Sequence, residues 1–163
     1  MKMPINYIRR ILIILFVLIG IGGILASIFA IWITAFGIGW GGGNTTLFEI
    51  MWDLKGLLLF TGYSITAGYG IIKNKKIGIL FGYAATLSLM AYTIYDFGIS
   101  IKYGDDIKFI EIIAAFFFLT LIGLILFGLY RLMKTIGSLN KQQYLIGGIL
   151  TSFVILSFVY MFD

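Results

Sequence analysis

A chain of 163 residues, 61% apolar and 12% charged with a mean hydropathy of +1.06, lies far outside the range of soluble domains. Its formal charge of +5 does not signal nucleic-acid binding, because nine of the twelve bases stand at the ends of apolar segments, where they set topology and meet anionic head groups. With neither Cys nor His, the chain offers no disulfide, thiolate nucleophile, histidine haem ligand or Cys/His zinc site.

The first apolar segment, 8–36, follows the basic start Lys2, Arg9 and Arg10. It exceeds the ~20 residues needed to cross hydrocarbon, so it must tilt, kink or protrude. It is about twice as long as a signal-peptide core and lacks a polar cleavage region, so it is expected to be retained. The Gly-rich stretch 37–43 lacks both the preceding strand and the Lys-Ser/Thr ending of a phosphate loop, and reads as an outer loop. Thr46 with Glu49 forms the signature of a capping box, starting a helix that crosses over 53–72.

Lys73, Lys75 and Lys76 mark a tight turn, so the second and third segments are expected to be antiparallel neighbours. The third occupies 77–99, and a short polar loop with Asp105 and Asp106 leads to the fourth, 109–130. Asp106 is placed to cap that helix. After Arg131, Lys134 and Lys141 the fifth runs over 144–162.

The charges fall on two sides. Bases flank 1–10, 73–76 and 131–143, whereas all seven acids lie at or near the opposite segment ends, with Lys55, Lys102 and Lys108 breaking the partition. Read by the excess of bases in cytoplasmic loops, the fold class is an all-α integral membrane protein, a bundle of five transmembrane helices. Its N-terminus is cytoplasmic and its C-terminus extracytoplasmic. A single domain over 1–163, multi-pass in the cell (inner) membrane, is the expectation. The wealth of Ile, Phe, Tyr, Lys and Asn, with one Pro, suits a prokaryotic source.

Two rows of small residues stand out. Gly78, Gly82, Ala85 and Tyr92 share one face of the third segment, and Gly22, Ala26 and Ala30 share one face of the first. Small residues at four-residue steps let helix backbones approach closely, either between copies or, more commonly, within one chain. Glu49, Asp53, Asp96, Asp105, Asp106 and Glu111 form a candidate outer acidic rim. Carboxylates suit cations, yet the spacing of a calcium loop is absent, and a solvated rim of helix caps is the simpler reading. Asp96 falls near the outer edge of the hydrocarbon, where an acid is tolerated. The interior Ser and Thr can bond back to their own helices, and Tyr63, Tyr69, Tyr83 and Tyr92 are candidates to line a small polar cavity.

No nucleophile–base pair or metal-ligand spacing emerges, so neither an enzyme nor a cofactor or metal site is expected. The expected role is a non-catalytic subunit or interaction partner in a membrane complex. Its partners are membrane lipids and another membrane protein or a second copy, with no nucleic acid. The alternative is a small transporter or oligomeric channel for an ion, lipid or weakly polar solute. Coupled carriers place a carboxylate deep in the bilayer, and none is positioned there.

Overall fold

The computed structural model describes residues 4–41, 46, 49–50, 54–102, 109–137 and 139–159, and among these the regular structure is entirely helical. Five helices follow in order: α1 (Ile5–Gly41), α2 (Lys55–Ile72), α3 (Lys76–Lys102), α4 (Phe109–Ile136) and α5 (Lys141–Val159). Three are long and apolar enough to cross a membrane: α1 over Ile5–Thr34, α3 over Lys76–Tyr95 and α4 over Ile112–Ile136. The protein is therefore a helical membrane protein. At ~1.5 Å per residue, the 37 residues of α1 extend about 55 Å, well beyond a ~30 Å hydrocarbon core. Helices outrun apolar segments because polar residues can complete a helix in the head-group layer: α4 continues through Arg131 and Lys134.

The composition of α2 differs for a physical reason. Its 18 residues include Gly56, Thr61, Gly62, Ser64, Thr66, Gly68 and Gly70, which lower its hydropathy. It packs against α1, α3 and α5. Protein rather than lipid covers much of it, and small residues serve that contact better than large aliphatic ones. α3 holds the centre, touching α2, α4 and α5, while α1 lies mainly along α2 and partly against α4. Phe16, Ile71, Ile79, Ile122, Leu129, Leu132 and Val154 are the large side chains sealed in this core.

Close approach occurs where glycines meet backbone. A Cβ on Gly78 would collide with the main chain of Gly70 and Ile71, so α2 and α3 cross backbone to backbone. The turn between them is shaped by Asn74, left-handed at φ 54°, with Lys75 N–H donating to Gly70 O at 2.8 Å. Arg9 on α1 completes this end: its Nε donates to Ile71 O at 3.2 Å and its Nη2 to Ile72 O at 2.6 Å. A guanidinium on the last carbonyls of a helix answers both the unpaired acceptors and the negative end of the dipole.

The capping box expected at Thr46 and Glu49 is present, but it does not open α2, which begins at Lys55 behind Leu54, a residue that makes no side-chain capping hydrogen bond. Thr46 N–H donates to Glu49 Oε2 at 2.7 Å, and Glu49 N–H donates to Thr46 Oγ1 at 3.3 Å. A second box opens α5, where Asn140 N–H donates to Gln143 Oε1 at 3.0 Å and Gln143 N–H to Asn140 Oδ1 at 2.8 Å. The helix thus begins three residues before its first apolar residue, Tyr144. At the end of α4, Gly137 takes φ 116° and donates to Met133 O at 2.9 Å.

Interior hydroxyls bond back as expected, Ser27 to Gly23 O, Thr86 to Gly82 O and Ser88 to Ala84 O, each at 2.7 Å. Thr61 departs from this. Its buried Oγ1 sits against Gly23 of α1 and, among the described residues, has no hydrogen-bond partner.

Outside the core, Phe116, Phe117 and Phe118 are 68%, 68% and 48% exposed. Successive residues turn by about 100°, so three consecutive exposed rings span roughly 200° of the helix circumference. Leaving one such ring in water forfeits roughly 1.5–3 kcal/mol of burial, which lipid supplies. Large aromatic rings exposed over more than half of the circumference are the signature of a span, not of a helix at an aqueous surface.

Candidate functional site

The basic ends of α3, α4 and α5 enclose a crevice of about 630 Å³. α3 contributes Leu80 and Tyr83, α4 contributes Tyr130 and Met133, and α5 contributes Tyr144 and Thr151. Gly147 sets the depth: a Cβ there would come within 2.8 Å of Leu80 Cδ1, so α5 presses directly on α3. Tyr144 O–H donates to Met133 Sδ at 3.6 Å, and Thr151 O–H donates to Gly147 O at 2.8 Å. Lys134 Nζ stands 4.6 Å from the Tyr130 ring centroid, a cation–π distance.

Aliphatic walls with phenol groups from three helices suit an uncharged or weakly polar amphiphile. Each phenol can donate and accept one hydrogen bond, while its ring packs an alkyl or isoprenoid chain. A crevice of this size falls in the range of small-molecule sites. Nothing in its lining points to bond-breaking chemistry.

Only one of the tyrosines singled out in the sequence, Tyr83, lines this crevice. Tyr63 instead packs edge-on to Phe81, with ring centroids 5.0 Å apart, and reaches Leu150 O at 3.5 Å. Tyr69 is exposed and Tyr92 is half-buried. Tyr130 and Tyr144 are not among the tyrosines the sequence singles out, because their convergence with Tyr83 depends on packing between helices.

Gly78 faces Gly70 and Ile71 of α2. Gly82 faces α4 and α1, its added Cβ lying 2.9 Å from Leu129 Cδ2 and 3.2 Å from Phe16 Cζ. Ala85 is buried on the same face. On α1 the geometry differs: Gly22 has open space around it, Ala26 is exposed and Ala30 half-buried. The contact with α2 runs through the neighbouring row Gly20, Gly23 and Ser27, where Gly20 meets Ile65 and Gly23 meets Thr61. That row was legible as small residues but not distinguishable from its neighbour.

Of the acidic set, Glu49 is occupied in its capping box. Asp53, Asp105 and Asp106 lie outside the described residues, as do the side chains of Asp96 and Glu111, whose backbones are helical in α3 and α4. Comparison of the chain with protein-family models, curated proteins and solved structures finds no match.

Proposed function

We propose that this chain is a five-span protein of a prokaryotic cell (inner) membrane and a non-catalytic component of a membrane assembly. In this reading the N-terminus and the basic turns 73–76 and 131–143 are cytoplasmic and the C-terminus is outside. The excess of bases at those ends supports the orientation. Packing of α2 against the apolar spans α1 and α3, and of α5 against the apolar span α3, supports counting them as crossings. Single cysteines introduced at Lys75 and at Thr46 test the topology, the chain having no other cysteine. Labelling of position 75 from the outside by an impermeant maleimide, or of position 46 only after the membrane is opened, contradicts it.

The observation that carries the assembly reading is the outward face of α1. Gly22 and Ala26 leave a shallow notch there, and beyond it Phe29, Trp32 and Phe36 stack into an exposed ridge. The ring centroids are 6.3 Å and 5.5 Å apart. A notch of small residues beside an aromatic ridge fits the backbone of another membrane helix, from a second copy or from a different protein. A photo-reactive residue at Ala26 is expected to yield one adduct of discrete mass, 18.2 kDa heavier if the partner is a second copy. The same group at Phe117 is expected to yield none. Matching adduct patterns from the two sites refute the reading.

A second reading, binding or passage of a lipid or weakly polar solute, is favoured by the tyrosine-lined crevice. Flux or lipid-transfer activity in liposomes that falls on Tyr83→Phe or Gly148→Trp supports it, and unchanged flux from protein-free controls removes it.

A further inference from the structure

A second groove, of about 340 Å³, runs between α1 and α4 on the other side of the bundle from α5. Leu12 and Leu15 wall it on α1, and Leu121, Leu124, Gly128 and Arg131 wall it on α4. Gly128 lets α1 come close, with Leu12 methyls 3.4 Å from where a Cβ would stand. From Leu121 to Arg131 the groove extends ten residues, about 15 Å along the helix, or half of a ~30 Å hydrocarbon core. It is thus one leaflet deep, with its single charge at the head-group end.

Arg131 is half-buried there, and among the described residues no carboxylate or carbonyl accepts a hydrogen bond from it. The contrast with Arg9, whose guanidinium is taken up by the carbonyls closing α2, is direct. Nor can the surrounding chain supply a counter-charge, because residues 1–10, 73–76 and 131–143 contain no Asp or Glu. A cation fixed at the mouth of a one-leaflet apolar groove matches an anion carried on an alkyl chain.

We infer that the α1–α4 groove binds an anionic phospholipid, its acyl chain lying between Leu12 and Leu124 and its phosphate on the Arg131 guanidinium. Basic groups placed between membrane helices recognise such head groups through local field as well as hydrogen bonds. This site needs neither the protein partner nor the orientation proposed above, since α1 and α4 are both apolar spans.

Native mass spectrometry of the full chain in neutral detergent tests it, with dioleoyl phosphatidylglycerol and dioleoyl phosphatidylcholine as probes. One phosphatidylglycerol per chain is expected to be retained over phosphatidylcholine by about fivefold, the worth of one base near a membrane surface. Arg131→Gln is expected to bring the ratio to about one, while Lys75→Gln, on the α2–α3 turn, leaves it unchanged. Leu124→Trp, at a lipid-facing position that tolerates bulk, is expected to reduce retention of both lipids by filling the groove. Equal retention of the two lipids by the unaltered protein overturns the inference. So does a loss in Lys75→Gln equal to that in Arg131→Gln, undiminished retention in Leu124→Trp, or displacement of the lipid by millimolar inorganic phosphate.

Discussion

Replacing Gly78 with Ala adds one methyl group where α3 crosses α2, and nothing at that point can move aside cheaply. The atoms it meets are the main chain of Gly70 and Ile71, so the two helices must separate as rods instead of a side chain rotating away. Restoring a carbon–carbon distance of about 3.5 Å opens the seam by roughly 1 Å, which forfeits a quarter to a half of each contact's dispersion energy. Over on the order of thirty atom pairs at 0.1–0.2 kcal/mol each, the loss is about 1–2 kcal/mol, within the usual range for overpacking. The same substitution at Gly22, where the space is open, has no such cost and gains helix propensity. Reversible unfolding in mixed micelles with rising dodecyl sulfate, followed by circular dichroism, separates the two variants. Gly78→Ala is expected to lower the midpoint markedly and Gly22→Ala to leave it level or slightly raised. Equal midpoints refute the backbone-to-backbone crossing on which this account of the bundle rests.

Other substitutions probe different terms. Arg9→Gln removes the charged donor from Ile71 O and Ile72 O and is expected to cost about 1–2 kcal/mol in the same titration, whereas Arg10→Gln, at an exposed position, costs under about 0.5. Asn140→Ala opens the capping box of α5 at a cost of about 1 kcal/mol. Faster amide exchange confined to the first turn of α5 is its expected mark, and unchanged exchange there counts against the cap. Thr61→Val exchanges an unpartnered buried hydroxyl for a methyl of similar shape and is expected to be neutral or to stabilise by up to about 1 kcal/mol. A loss larger than that shows that the Thr61 hydroxyl has a polar partner.

Much of this architecture was legible in the residues because its causes are local. Length of apolar run, position of charge and the Thr46-to-Glu49 spacing each act within a few turns of helix, so all-helical structure and the first capping box follow directly. The box at Asn140 and Gln143 has the same local origin and was hidden only by its place in a basic, polar stretch. Hydropathy served less well for α2, where Gly, Ser and Thr face protein neighbours that a linear scan does not register.

Apolar rods, their ends and their bias of charge are thus determined by the chain taken one segment at a time. Tertiary structure alone decided which of two interleaved small-residue rows on α1 meets α2, since Gly20–Gly23–Ser27 and Gly22–Ala26–Ala30 are equally small and lie about a quarter turn apart on the same helix. The rotation of α1 about its axis is fixed by the shape of the opposing surface at Thr61, Ile65 and Gly68. The same holds for the crevice, because Tyr83, Tyr130 and Tyr144 come from three helices and converge only when α5 presses Gly147 against Leu80. Proximity across helices is a property of the packed bundle, and no periodicity within one segment encodes it.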